Sequence, residues 1–156
     1  MTDTPTVPDY LRHIHVVLTR TSHPGNIGAA ARAMKTMGLS RLTLVAPNLM
    51  ATPMTPEPPT FDAAQAAAFR LPEESFILAS GARDVLEQTQ IVATLDEALT
   101  DTVLSCALTS RRRELSAPLH TPRELVPELL QAAQQGFQVA LVFGNETFGQ
   151  IGRAHV

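Results

Sequence analysis

Four short runs rich in branched apolar residues punctuate this chain: HIHVVLT at 13–19, RLTLV at 41–45, TVLSCALT at 102–109 and QVALVF at 138–143. Segments of helical composition, with their own start and stop residues, lie between them. Strands that alternate with helices cannot be joined by tight hairpins, so the pattern predicts an α/β fold with a parallel sheet and right-handed crossovers. In such sheets ligands collect beyond the carboxyl ends of the strands.

The helical signals are local and specific. Residues 27–37 (IGAAARAMKTM) are helix-forming, with Gly38 placed as a stop. Asp62 with Gln65, Thr94 with Glu97, and Thr121 with Glu124 have the spacing of capping boxes, and Pro122 and Gly136 bracket the last helix. A short helical or turn segment is expected around 84–88 and a brief strand at 90–93. The stretch 46–60 carries prolines at 47, 53, 56, 58 and 59, which neither a ladder nor a helix tolerates, and reads as a surface loop. The run 102–109 is continuously apolar, as in a strand buried on both faces, with Cys106 as a packed core residue.

The 156 residues suit one globular domain. No apolar run is long enough for a membrane span and the first ten residues do not read as a secretory signal, so a cytoplasmic protein is expected. One cysteine and no Cys/His cluster leave no disulfide framework and no metal site. The net charge of −3 argues against coating nucleic acid through bulk charge. Yet the sign is uneven: residues 1–45 hold five Lys or Arg against two Asp or Glu, residues 46–105 two against nine, and residues 106–156 five against four. Eleven of the twelve bases are Arg, whose forked donors suit phosphate as well as surface ion pairs.

Unusual residues cluster just after three of the predicted strands. In 21–32 (TSHPGNIGAAAR), Pro24, Gly25, Asn26 and Gly28 read as a tight turn onto a helix N-terminus, with Arg32 about one turn in and close enough to share an anionic ligand. The bland reading is a turn, a cap and a solvated arginine. Neither GxGxxG nor a P-loop is present. In 109–114 (TSRRRE) three adjacent arginines follow a strand, which is either a solvated face or a ligand contact. In 143–149 (FGNETFG) glycines flank Asn145 and Glu146, as where main chain approaches a ligand or simply turns. Of the histidines, His13 and His15 read as structural residues of one strand face, and His23 is the one placed to act.

Taken together, IHVVLTRTSHPGNIGAAARAMKTMGLSRLTLVAPN, ALTSRRRELSAP and ALVFGNETFG resemble the SpoU/TrmH family of the SPOUT superfamily of RNA ribose 2′-O-methyltransferases. The similarity runs from about His13 to Gly149 and is greatest to the type acting on tRNA cytidine and uridine. It implies a homodimer that transfers a methyl group from S-adenosylmethionine to a ribose 2′-hydroxyl of tRNA, in the anticodon loop. Asn26 and Arg32 would then be catalytic. Thr109, Ser110, Arg111, Gly144 and Glu146 would contact the cofactor, although this type more often carries Ala at position 111.

The resemblance also implies a Rossmann-like SPOUT domain over residues 13–150, preceded by a flexible N-terminus at 1–12. The family's third motif and C-terminal trefoil-knot segment are missing from the chain, and the residues after Gly149 leave the family pattern. Residues 151–156 are expected to be a non-native tail, and this chain alone is expected to bind the cofactor weakly or not at all and to be inactive. The alternative to an enzyme is a non-catalytic RNA-binding or dimerisation fragment of the same fold. An unrelated flavodoxin-like domain fits less well, since its fingerprint is lacking.

Overall fold

The computed structural model of the chain describes residues 7–49, 60–108 and 120–144. Among them five strands, Ile14–Thr19 (β1), Arg41–Val45 (β2), Gln90–Val92 (β3), Thr102–Leu108 (β4) and Gln138–Phe143 (β5), form one sheet. The order is β3-β2-β1-β5-β4 and every neighbouring pair is parallel. The helices are Pro24–Thr36 (α1), Ala63–Ala68 (α2), Glu73–Ala79 (α3), Arg83–Glu87 (α4), Leu95–Ala98 (α5) and Pro122–Gln134 (α6). None of the described helices is long and apolar enough to cross a membrane.

Alternation along the strands decides which side each residue serves. Ile14, Val16, Leu42, Leu44 and Val139 join Ile27, Ala31 and Met34 of α1, Val85 and Leu86 of α4, and Leu129 and Ala133 of α6 in the larger core. Val17, Val45, Ala140 and Val142 point to the other face, against Leu95, Ala98 and Leu99 around α5. Full burial of each such side chain is worth roughly 1.5–3 kcal/mol, so the helical layer carries most of the stabilisation. Cys106 belongs to that core, and burial pushes its thiol pKa up, as expected of a packed, unreactive cysteine.

Several expectations meet their structural counterparts. Asp62 and Gln65 form a reciprocal capping box at α2, Thr121 and Glu124 form another at α6, and Thr94 accepts from the Glu97 amide at α5. Gly136 closes α6 in the left-handed region, at φ +93°. Elsewhere tertiary context prevails. β4 is not buried on both faces, because it is the edge strand of the described sheet, and Val103 is 51% exposed. The helical segment near 84–88 is the end of a longer path, from α3 through the 3-10 turn Ser80–Ala82 into α4. The N-terminal segment expected to be flexible divides: residues 1–6 lie outside the described residues, whereas Asp9–His13 is a 3-10 turn. His13 therefore lies ahead of the strand and donates from Nδ1 to the Ala133 carbonyl at 3.0 Å.

The closest helix contact is between α1 and α3. A Cβ built on Gly28 would stand 2.2 Å from the Ser75 carbonyl oxygen and 3.0 Å from the Ala79 nitrogen. Ser75 is fully buried, and its hydroxyl donates to the Pro24 carbonyl at 2.8 Å, clamping α3 to the first turn of α1. Gly28 thus permits helix packing, which is a different role from turning the chain. Gly28→Ala gains about 1 kcal/mol of helix propensity but drives a methyl group into main chain that cannot rotate away, a penalty of about 1–3 kcal/mol. The penalty prevails. Thermal unfolding of this variant is expected roughly 3–6 °C below the parent, and an unchanged or higher Tm would refute the close-contact account.

At the amino end of the sheet, His15 Nε2 meets Gln138 Oε1 at 2.7 Å, and Arg41 Nη1 donates to the same oxygen at 3.1 Å. Burial is the main cause holding the His15 pKa below its usual value. The Arg41 and His13 charges act in the same direction, while the Gln138 hydrogen bond and Asp101 oppose them. Because the unfolded chain then binds the proton more readily, this site is neutral to stability well above pH ~6.5 and destabilising as the pH falls through that value. Unfolding free energies measured from pH 8 to 5 should decline less steeply for His15→Gln than for the parent. Parallel profiles would show that His15 is not the linked group.

Candidate active site at the carboxyl rim

Because β1, β5 and β4 are consecutive neighbours in the sheet, the chain segments that follow them leave from one rim. Register makes the alignment close: Leu18 and Leu108 both pair with Phe143. Thr19 is the next residue on β1, and Gly144 is the residue that follows β5. The Thr19 hydroxyl donates to the Phe143 carbonyl at 3.1 Å, fixing the two strand ends against each other. Gly144 itself is half-buried. Thr109, Ser110, Arg111 and Glu146 lie outside the described residues, as does Asn145.

The segment after β1 differs from the sequence expectation. α1 begins at Pro24, with His23 as its N-cap residue, so Pro24, Gly25, Asn26 and Gly28 are the opening of the helix and do not form a turn ahead of it. Pro24 has no N–H and the Asn26 N–H bonds the His23 carbonyl at 3.1 Å, which makes the anion cradle smaller than a free helix end. His23 is exposed and its side chain caps nothing. Asn26 and Arg32 are both exposed. Six residues of α-helix place their Cα atoms about 9 Å apart along the axis and about 120° apart around it. Arg32 thus stands two turns into α1. An arginine side chain leans toward the helix N-terminus and narrows the gap, but the two residues do not share one helix face.

On the other side of β1 the rim opens into a cavity of about 490 Å³ above the ends of β1, β2 and β3. Arg20, Asn48, Phe61 and Thr94 line it together with Thr19 and Ala46. Arg20 and Ala46 immediately follow β1 and β2 and both have positive φ, +53° and +43°. Each is held by its N–H, Arg20 to the Val45 carbonyl at 2.8 Å and Ala46 to the Val92 carbonyl at 2.9 Å. The Asn48 N–H in turn bonds the Thr21 carbonyl at 3.0 Å, so one wall of the cavity is continuous with the segment that enters α1. None of these residues stands out in the sequence as a site residue. The available signal was a cation and an amide placed just after two strands. Among the described residues no group of His, Cys, Asp and Glu could hold a metal ion.

Comparison with known proteins follows the same outline. The model described as the SpoU rRNA Methylase family matches residues 13–153. The chain is 42% identical over 139 residues to the tRNA (cytidine/uridine/adenosine-2′-O-)-methyltransferase TrmJ of Pseudomonas aeruginosa (strain UCBPP-PA14), covering 89% of this chain and 46% of that protein. It is 41% identical over 140 residues to TrmJ of Salmonella typhimurium, covering 89% of this chain and 49% of that one. The chain therefore spans about half the length of the curated relatives it matches. A crystal structure of a methylase family protein from Neisseria gonorrhoeae superposes with a TM-score of 0.83 at 70% identity, over 95% of this chain and 68% of that one. TrmJ from Z. mobilis ZM4 superposes at 0.65 and 30% identity, over 88% and 51%.

The Thr19 to Phe143 hydrogen bond is the rim's internal tie. Thr19→Val keeps the side-chain shape and leaves the Phe143 carbonyl without that donor, at an expected cost of about 1–2 kcal/mol. Denaturant unfolding should show a lower midpoint with an unchanged m value, and equal stability of the two proteins would remove the tie from the account.

Proposed function

Because the chain belongs to the SpoU methylase family, we propose that its carboxyl rim serves transfer of a methyl group from S-adenosylmethionine to a ribose 2′-hydroxyl of tRNA. The observation that carries this reading is the adjacency of β1, β5 and β4, which sends the segments holding Asn26, Thr109 and Gly144 from a single rim. The activity named for the TrmJ relatives supports tRNA as the methyl acceptor. In this reading residues 13–150 form the methyltransferase domain, two copies work as a homodimer, and the setting is the cytoplasm.

Gly144 is the described residue at the rim that supports the cofactor. Gly144 brings no side chain to the point where β5 ends, and the neighbouring Phe143 carbonyl is already occupied by Thr19, so main chain can approach a bulky ligand there. Thr109, Ser110, Arg111, Gly144 and Glu146 are the residues that would hold it. When bound, the sulfonium supplies an electrophilic methyl carbon and a neutral thioether leaving group.

The chain's own residues must then orient the ribose oxygen and ease its developing negative charge. A guanidinium stays protonated at neutral pH and has no acceptor, so Arg32 acts as a hydrogen-bond donor to that oxygen or to the adjacent phosphate and does not remove the proton. Asn26, with an amide that both donates and accepts, positions the hydroxyl from the first turn of α1.

Removing a preorganised donor to a developing oxyanion typically costs a factor of about 10²–10³ in rate. A chromosomal Arg32→Ala allele is therefore expected to abolish one 2′-O-methylated nucleoside in cellular tRNA, read by nucleoside mass spectrometry, with the wild-type allele restoring it. The purified variant should still bind tRNA within a few-fold of the parent. Normal methylation in the Arg32→Ala strain would refute the assignment, and tRNA binding without any methylation by the parent would favour a non-catalytic RNA-binding role.

A further inference from the structure

We propose that the cavity over the ends of β1, β2 and β3 is a nucleotide subsite that receives a residue of the RNA strand flanking the methylated one, with Arg20 on its phosphate and Phe61 against its base. This rests on the methyltransferase reading for the identity of the strand. The geometry of the cavity stands independently.

A volume of about 490 Å³ lies within the range of small-molecule sites and accommodates one nucleotide. Among the described lining residues Arg20 is the only charged one and none is a carboxylate. Its side chain is exposed, and no described residue forms an ion pair or hydrogen bond with the guanidinium. Phe61 is half-buried and braced edge-on by Phe69, with ring centroids 6.4 Å apart at 62°, which presents a fixed aromatic wall. The Asn48 amide and the Thr60 hydroxyl line the same space and form no side-chain hydrogen bond with the described residues. A cation, a fixed ring and uncommitted polar groups are the components of single-strand recognition: charge for the backbone, a stacking surface for the base, and donors and acceptors for its edge. Thr94 adds less, since its hydroxyl is committed to Glu97 at α5.

The location accounts for the use. The cavity extends from the β1 end over β2 and β3, whereas Gly144 follows β5 on the opposite side of β1. Arg20 lines the cavity, and the chain runs on from it through His23 into the first turn of α1, which holds Asn26. A ribose held at α1 would thus have the methyl donor on the β5 side and its neighbour in the strand on the β2 side. Two of the three non-glycine residues with positive φ among those described, Arg20 and Ala46, border this space, the third being Ser80. Non-glycine residues in that region cost about 1–2 kcal/mol each, and such strain collects at ligand sites.

The test compares Arg20→Asn, which removes the charge yet tolerates the left-handed backbone, and Phe61→Leu, which retains apolar bulk without a stacking face. Unmodified fluorescein-labelled tRNA transcript is the probe, in anisotropy titrations at several salt concentrations. Each variant is expected to raise the Kd about tenfold, and Arg20→Asn to lower the slope of log Kd against log salt by about one. In transfer assays, kcat at saturating tRNA and the KM for S-adenosylmethionine should stay within twofold of the parent, with both variants folded at the assay temperature. An unaltered Kd in both variants overturns the subsite. A parallel rise in the cofactor KM overturns it in favour of a cofactor pocket, and tight binding of free AMP or CMP with no effect on tRNA overturns the RNA strand as its occupant. Absence of methyl transfer by the parent would fail the methyltransferase reading alone, since the anisotropy arm needs no turnover.

Discussion

The pairing of β1 with β5 is the constraint on which the remaining geometry depends. The first three strands are laid outward from β1, whereas β5 is inserted between β1 and the far edge strand β4. That insertion brings a late segment of the chain against the first strand and places Gly144 beside Thr19. Register is enforced by burial on both faces, with Val16 and Val139 facing the helical layer and Val17, Ala140 and Val142 the other side. A slip of one residue would exchange these sets and carry β5's polar Gln138 into the larger core, so the alignment of the rim follows from hydrophobic patterning.

The sequence legibly encoded what is local and strongly patterned. The boundaries of β2 and β5, the capping boxes at α2 and α6 and the parallel α/β class all follow from composition and spacing over a few residues. The start of α1 did not, because Pro-Gly-Asn-Ile-Gly carries turn chemistry. What makes those residues helical is α3: the Ser75 hydroxyl reaches the Pro24 carbonyl, and only a residue without Cβ fits at Gly28. Glycine there weakens local helix propensity for the sake of a contact some fifty residues away in sequence, which periodicity cannot register. β4 misled for the converse reason. Its apolar run is real, but burial depends on position within the sheet, and nothing in seven residues announces an edge. The cavity was invisible because it is assembled from four separate segments, and its floor needs positive φ at Arg20 and Ala46, residue types that do not advertise it.

Charge shows how local structure redistributes a net number. The acidic excess of the middle third is spent on helices: Asp62 caps α2, Asp84 pairs with Lys35 at 2.6 Å, Glu87 with Arg83 at 3.4 Å, and Glu97 closes the cap at Thr94. Those exposed pairs contribute little to stability, about 0–1 kcal/mol each, but they occupy the acids with neighbours on the helical surface. Arg20 and Arg32 have no such partner among the described residues. An overall charge of −3 is therefore compatible with a rim whose flanking cations are free to meet phosphate.

The two sides of the β1 end then divide the labour of the rim. On the β5 side Gly144 follows a carbonyl already bonded by Thr19, where the proposed cofactor would approach main chain. On the β2 side the backbone is strained at two successive strand ends, and each strained residue is anchored by a hydrogen bond to the next strand in order, Arg20 to Val45 and Ala46 to Val92. Glycine at position 20 would relax the backbone at no cost to that hydrogen bond, since the donor is the main-chain N–H. The side chain actually present contributes a guanidinium over the cavity and little packing, being exposed. Strain that glycine would remove, retained beneath a cation that has no partner among the described residues, is in keeping with the proposed phosphate contact.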